Sequence, residues 1–203
     1  MREVFGDGRL VKQANGFAID APGLHAPALM LAGVDGTPLP DLSEHEGKVI
    51  SYAGLLQSTG DNQECIAFHP ADIQLPAVDT PVSPMWCLLS GNLGKAPEPN
   101  PKGDRLVASL AYDKVGADTS WMRITAYPYF SIAELFAIQE AGTALIAYGA
   151  LESYDYNGKP RAQLSLRGFQ LLARTSSAPT PPTSLMSARS ADTIAPHAFD
   201  DAA

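Results

Sequence analysis

The chain has 203 residues, of which 45% are hydrophobic, and a formal net charge of −8. This length allows one large domain or two small ones, with enough apolar material for a core. Seventeen Gly and seventeen Pro favour short elements joined by turns over long helices. No apolar run approaches the length of a membrane span, and no basic-then-apolar signal opens the chain. We therefore expect a soluble, cytoplasmic protein that does not bind membranes.

The acidic charge is unevenly distributed. Residues 1–85 hold 4 Lys or Arg and 11 Asp or Glu, whereas residues 86–173 hold 8 of each kind. The second block is thus neutral, and local placement of cations governs phosphate contact more than net charge does. The overall acidity therefore does not exclude nucleic acid as a partner.

The first block predicts short strands at residues 5–10, 16–19 and 27–31. Residues 41–44 form a capping-box pattern that predicts one helical turn. The strand at 27–31 has no aromatic or cationic outer face, and residues 1–85 contain no tryptophan. We expect this half to lack a base-stacking surface.

A sequence repeat connects the two blocks. Residues 46–58 align without gaps on residues 141–153, and residues 73–75 parallel residues 169–171. An interval of about 95 residues indicates two tandem domains of one type. The alternative is that any two buried strands with a glycine look alike. The tandem interpretation gives a divergent domain at 1–78, a linker at 79–85, a second domain at 86–174 and a Ser/Thr/Pro/Ala-rich tail at 175–203, which we expect to be disordered.

Alternation in the second block separates apolar strand faces from polar ones. The predicted inward residues are Met122, Ile124, Ala126, Ala162, Leu164, Leu166, Leu106, Ala108 and Leu110. The predicted outward residues are Trp121, Arg123, Thr125, Tyr127, Arg161, Gln163, Ser165, Arg167 and Arg105. Strands with one apolar and one basic or aromatic face suggest a small closed sheet with an external binding surface. After the strand that contains Trp121 and Arg123, the pattern from Ser131 to Glu134 predicts a helix N-terminus. The predicted helix runs to about Glu140.

The motifs of this block occur in a recognisable order. A Gly-x-Leu-Gly-x-x-Pro-Glu turn is formed by Gly91, Leu93, Gly94, Pro97 and Glu98. A Thr-x-Trp-x-Arg strand that ends in an aromatic residue follows, with Thr119, Trp121, Arg123 and Tyr127. Next come a Gly-x-Leu pair, Gly149 and Leu151, and an aromatic residue near the following turn, Tyr156. Over about ninety residues the chain resembles the single-stranded DNA-binding (SSB) proteins, which have an OB-fold. The resemblance implies an all-β chain of two tandem OB-fold barrels, each with one short helix, and base stacking by Trp121, Tyr127 and Tyr156.

The candidate nucleic-acid-binding residues combine this resemblance with the outward faces. They are Trp121, Arg123, Tyr127, Tyr154, Tyr156, Arg105, Lys95, Lys102, Lys159, Arg161 and Arg167. Six of them have an alternative interpretation. Trp121 could be a core residue, the tyrosines around the turn at 157–158 could pack along a hairpin, and the cations of the last strand could be ordinary solvated charges.

These observations predict a non-enzymatic protein that binds single-stranded DNA with little sequence preference, in replication, recombination or repair. SSB proteins assemble four OB-folds. The resemblance therefore implies that a chain with two tandem OB-folds forms a homodimer. The alternative is an OB-fold protein-interaction module of replication or mobile-element machinery that binds DNA weakly. Phe199, Asp200 and Asp201 weakly resemble the acidic tail tip by which SSB proteins dock replication and repair partners. Cys65 and Cys87 are expected to be buried, reduced thiols, and no metal, cofactor or catalytic motif is predicted.

Overall fold

The structure is a computed structural model that describes residues 2–14, 16–24, 29–33, 38, 41–58, 64–68, 73–74, 81–115, 118–156 and 159–172. The first half contains the strands β1 (Arg2–Gln13), β2 (Gly16–Asp20), β3 (Leu29–Gly33), β4 (Val49–Ser58), β5 (Glu64–Phe68) and β6 (Ile73–Gln74). The second half contains β7 (Trp86–Leu93), β8 (Glu98–Pro99), β9 (Leu106–Val115), β10 (Asp118–Ala126), the helix α1 (Ile132–Ala137), β11 (Ala144–Tyr156) and β12 (Lys159–Leu171). The predicted tail at 175–203 and the predicted turn at 157–158 lie outside the described residues.

Strand pairing closes a ring in the second half. β7 pairs with β9 and β11, β9 pairs with β10, and β12 joins β11 in antiparallel and β10 in parallel orientation. The first half has the same pattern. β1 pairs with β2 and β4, and β3 pairs with β2 in antiparallel and with β5 in parallel orientation. The ring closes where β5 pairs with β4. A closed ring of five strands is the OB-fold architecture. The predicted all-β OB-fold class is confirmed.

The pairing register repeats at the interval seen in the sequence. Ser51 and Tyr52 of β4 pair with Gln74 and Ile73 of β6. Ninety-five residues later, Ile146 and Ala147 of β11 pair with Gln170 and Phe169 of β12. The gapless alignment of the two strands therefore corresponds to equivalent hydrogen-bonding positions.

The halves are joined through their first strands. β1 and β7 pair in antiparallel orientation, with Val4 opposite Cys87. On its other edge Val4 lies opposite Gly54, and Cys87 lies opposite Gly149, which is the equivalent glycine. The two halves are therefore related by a local pseudo-two-fold axis at this junction. The side chains of Val4 and Cys87 at its centre are fully buried.

The described part of the predicted linker is bonded to both halves. The Ser83 amide donates to the Asp7 carbonyl at 2.8 Å, and the Asp7 amide donates to Ser83 Oγ at the same distance. The Met85 carbonyl accepts a 2.8 Å bond from the Leu151 amide, and the Met85 side chain is fully buried. Residues 83–85 are therefore fixed between β1 and β11.

The predicted inward faces of the second half form its core. The residues Met122, Ile124, Ala126, Ala108, Leu110, Ala162, Leu164 and Leu166 are buried, and Leu106 is half-buried against them. Burial of these side chains supplies the main driving force for folding of this half. Phe136 of α1 is also buried, with its ring edge-on to Phe169 at 5.8 Å, so the helix packs against β12.

Three residues assigned to the outward face are instead buried, and that assignment was wrong. They are Thr125, Gln163 and Ser165. β12 lies between β10 and β11, and side chains from those two outer strands meet above it. Arg123 of β10 lies over the ring of Tyr154 of β11, and these crossing contacts cover the middle of the face.

The helix prediction was correct in place but wrong in detail. Helix α1 ends at Ala137, short of the predicted Glu140, and Ser131 makes no capping hydrogen bond. Ser131 has helical backbone angles (φ −54°, ψ −24°), whereas a capping side chain needs an extended residue. After the helix, the Gly142 amide donates to the Leu93 carbonyl at 2.7 Å, which draws the chain back to β7. In the first half, the predicted turn is a 3-10 helix at Ser43–His45, with Asp41 Oδ1 accepting from the Ser43 amide.

Candidate nucleic-acid interface

Trp121 lies on the outer face of β10 and is 50% exposed, while the neighbouring Met122 is fully buried. A register shift between Ser120 and Trp121 marks a bulge just before it, and bulges commonly re-aim a side chain. The indole ring lies directly against Gly94, because a Cβ there would fall 3.0 Å from Trp121 Cη2 and closer still to Cζ3. Gly94 therefore provides a flat site for the ring.

Arg123 is the next residue on this face. Its guanidinium lies 4.6 Å from the centroid of the Tyr154 ring, crossing from β10 to β11 over β12. Arg123 Nε is buried and has no hydrogen-bond partner among the described residues. No carboxylate of those residues forms an ion pair with Arg123, so an aromatic ring holds this cation.

A second bridge forms around Tyr127. Arg105 Nη1 donates to Tyr127 Oη at 3.0 Å, with the guanidinium 4.8 Å from the ring centroid. Tyr127 Oη in turn donates to Glu152 Oε2 at 3.4 Å. Arg105 also donates to Asp104 through Nε and Nη2, each at 3.0 Å. This network fixes Tyr127 but occupies most donors of Arg105.

The network perturbs its ionisable groups. The hydrogen bond from Arg105 lowers the pKa of Asp104 to about 2. The same bond raises the pKa of Arg105. Burial, followed by the charge of Glu152, raises the pKa of Tyr127, which keeps its hydroxyl protonated and able to donate.

The remaining predicted residues surround these two bridges. Lys95 follows Gly94 in sequence and forms an exposed ion pair with Glu98 at 2.9 Å. Arg161 lies opposite Tyr154 in the β11–β12 pair. Arg167 is exposed, with its guanidinium 4.3 Å from the Phe130 ring. Lys102 lies on an exposed turn before Arg105, and its charge contributes to lowering the pKa of Asp104. Tyr156 and Lys159 pair as strand residues at the end of the β11–β12 hairpin, but their side chains lie outside the described part.

Sequence reasoning missed an aromatic turn that follows β10. Tyr129 is 71% exposed and stacks on Tyr127, with ring centroids 5.3 Å apart. Phe130 lies against Tyr129 at 4.5 Å. Three aromatic residues within the four positions 127–130, interrupted by Pro128, were the available signal. It was overlooked because strand alternation stops at Ala126.

Other sequence predictions concern groups away from this surface. Cys87 is a buried free thiol whose pKa burial raises to about 12, as predicted; the Cys65 side chain lies outside the described residues. Within the described ranges, no cluster of three or more His, Cys, Asp or Glu side chains could hold a metal ion. None of the described helices is both long and apolar enough to span a membrane.

Comparisons with known proteins extend the description of the fold. No protein-family model matches the sequence, and no curated protein matches it. Two solved structures of the single-stranded DNA binding protein from Thermus aquaticus are similar. A deletion mutant has a TM-score of 0.55 and 16% identity, covering 85% of this chain and 95% of that one. The wild type has a TM-score of 0.52 and 16% identity, covering 86% and 94%.

This chain has their fold. The resemblance to SSB proteins, inferred from about ninety residues of the second block, is confirmed at the level of the fold. The structural similarity extends over both halves of the chain.

Proposed function

We propose that the chain is a non-enzymatic protein that binds single-stranded DNA with little sequence preference. The observation that carries this proposal is the outer face of β10, where a half-exposed Trp121 lies beside the ring-held cation Arg123. Aromatic rings offer stacking platforms to any base, and cations track the phosphate backbone. The similarity in fold to a protein named for binding single-stranded DNA supports the same conclusion. Such a protein would act in the cytoplasm, in replication, recombination or repair.

The two bridges support a prepared binding surface. Arg123 and Tyr154 form one, and Arg105, Tyr127 and Glu152 form the other. Because these side chains are held by each other before a ligand arrives, binding loses less conformational entropy than it would with free side chains. No described carboxylate forms an ion pair with Arg123, so its positive charge is available to a phosphate. The charge of Arg105, in contrast, is compensated by Asp104 and Glu152.

The decisive experiment is an oligo-dT titration of the Trp121→Ala variant. Loss of one stacking platform should weaken binding by about 1–3 kcal/mol. Because the side chain is half-exposed, the loss in stability should stay well below the roughly 3–5 kcal/mol expected for a buried aromatic residue. A Trp121→Ala protein that melts early yet binds normally while folded would refute the stacking role.

Two further variants make the comparison specific. Trp86→Phe removes the other tryptophan, which stacks on Tyr148 at 5.3 Å in the β7–β11 pair, and should leave binding unchanged. Arg123→Ala should lower affinity and also reduce the salt dependence of binding, since one fewer phosphate contact releases fewer counterions. Absence of any binding by the unaltered protein would instead favour the protein-interaction module.

The proposal includes a division of labour between two OB-fold domains, at 1–78 and 86–174. The second would carry most of the DNA contact, because the first block holds 11 acidic against 4 basic residues. We also propose a homodimer that presents four OB-folds. Light scattering checks this, and a stable monomer or a tetramer of chains would contradict it. Docking of replication or repair proteins by the tail tip at 199–201 is a weaker proposal, testable by deleting those residues.

A further inference from the structure

A row of rings and cations continues the candidate interface beyond the end of β10. Arg105 lies over Tyr127, Tyr127 stacks on Tyr129, Tyr129 contacts Phe130, and Arg167 lies over Phe130. We call these five residues the aromatic row. It joins the turn before β9, the turn after β10, and β12 into one surface.

We propose that the aromatic row is a second stacking site for single-stranded nucleic acid, in which a base stacks on Tyr129 and Arg167 contacts a phosphate. This inference rests on the proposed function and assigns a role to a residue, Tyr129, that the motifs of the chain do not mark.

The ring of Tyr129 is open to solvent but held in place. Tyr129 is 71% exposed, although tyrosine rings usually bury their apolar body. Its position is nevertheless defined, because it is stacked on Tyr127 with an interplanar angle of 27° and contacts Phe130 on the same turn. A ring held by two neighbours yet largely accessible can accept a base without first being ordered.

A hydrogen-bonded turn presents the Tyr129 ring. The Phe130 amide donates to the Tyr127 carbonyl at 3.1 Å, which closes a tight turn over residues 127–130. Pro128 restricts the backbone of that turn through its fixed φ. Helix α1 begins directly afterwards at Ile132. The turn is therefore a rigid support for the ring.

The two cations of the aromatic row differ in how far their charge is compensated. Arg167 is exposed, and its guanidinium is held by the face of the Phe130 ring. No described carboxylate forms an ion pair with it, so its charge remains available to a phosphate. Arg105, at the other end of the row, is already engaged by Asp104. Phosphate contact is thus expected at the Arg167 end.

Continuity with β10 favours nucleic acid as the occupant. Tyr127 belongs both to the row and to the face that carries Trp121 and Arg123. Tyr127 lies six positions after Trp121, about 20 Å along the chain at 3.3 Å per residue. A strand of DNA that covers a site of about 4–16 nucleotides per OB-fold can extend over both.

The test uses the full chain and an oligo-dT of about 16 nucleotides, the upper end of that range. Tyr129→Ala should weaken binding by at least about fivefold, whereas Tyr129→Phe should retain it because the ring remains. Ile138→Ala is the matched control, since that side chain is 73% exposed on the segment following α1 and does not belong to the aromatic row. It should bind like the unaltered protein. Arg167→Gln should lower the slope of log affinity against log salt by about 0.7.

A direct readout separates base contact from a structural effect. An oligo-dT that carries 5-iodouracil should crosslink under ultraviolet light to the peptide containing Tyr129, and the crosslink should disappear in Tyr129→Ala. The inference is overturned if Tyr129→Ala binds normally while Trp121→Ala loses affinity, in which case the proposed function survives alone. If the unaltered protein does not bind oligo-dT, both fail.

Discussion

Replacing Gly94 by alanine tests whether the orientation of Trp121 matters. The new Cβ would lie 3.0 Å from Cη2 of the indole, closer to Cζ3, and 3.4 Å from Ser109 Oγ. Carbon atoms normally approach to about 3.5–4.0 Å. The backbone of Gly94 has no positive φ, and its amide keeps a 2.8 Å bond to the Ser109 carbonyl. The indole ring is therefore the group that must move.

The expected magnitude follows from what the ring loses. Moving an exposed ring off its preferred rotamer costs on the order of 0.5–1.5 kcal/mol, so the protein should remain folded. A tilted indole should lose part of the roughly 1–3 kcal/mol of one stacking platform. We expect single-strand affinity to fall by about 0.5–1.5 kcal/mol and the emission of Trp121 to change. Emission is best measured in a Trp86→Phe background, since the chain has two tryptophans.

Two controls decide whether the effect acts through the ring. Gly168 lies in β12 with no heavy atom within 4 Å of an added Cβ, so Gly168→Ala should change neither emission nor affinity. A double-mutant cycle is the second control, because Gly94→Ala should have no further effect on binding once Trp121 is alanine. Equal losses of affinity with and without the indole would refute the reasoning.

Three further predictions concern stability. Gly149→Ala and Gly91→Ala should each destabilise by about 1–3 kcal/mol or more in denaturant titrations, because the new Cβ meets the backbone of Ser165 (2.8 Å) or Ala111 (2.9 Å), neither of which can turn aside; unchanged midpoints would contradict this. Cys87, in a Cys65→Ala background, should resist iodoacetamide at pH 8 unless the protein is unfolded. Its folded pKa of about 12 exceeds the usual value near 8.5, so the stabilisation it gives is complete below about pH 8.5 and is lost as pH rises towards 12; melting curves against Cys87→Ala check this. Deleting residues 175–203 should leave the melting temperature unchanged, because the segment lacks apolar periodicity.

Alternation along the strands was sufficient to predict the apolar core of the second half. It identified Met122, Ile124 and Ala126, because side chains of a strand alternate whatever the partner strands are. The repeat of 95 residues also marked β4 and β11 as related strands, and the structure gives them equivalent pairing. These properties are local, and a single sequence contains them.

The environment of the opposite face could not be predicted in the same way. Ser165 and Gln163 are polar and alternate with leucines, which normally indicates exposure, yet both are buried. Their burial depends on long side chains from two other strands that meet over β12. Tyr129 was missed for a different reason, because it contacts Tyr127 and Phe130 within a turn, to which strand alternation does not apply. Contacts between strands, unlike alternation within one, require the topology.

The two arginine bridges show how an acidic chain can present a surface for an anion. Asp104 orients Arg105 against Tyr127, but the ion pair also cancels most of the charge of that arginine. Arg123 and Arg167 are held by rings instead, and an aromatic ring orients a cation without neutralising it. Positive charge is thus retained where rings support it, next to the surfaces on which bases could stack. Stacking would therefore contribute more to affinity than counterion release, because few uncompensated cations lie on the described part of the interface.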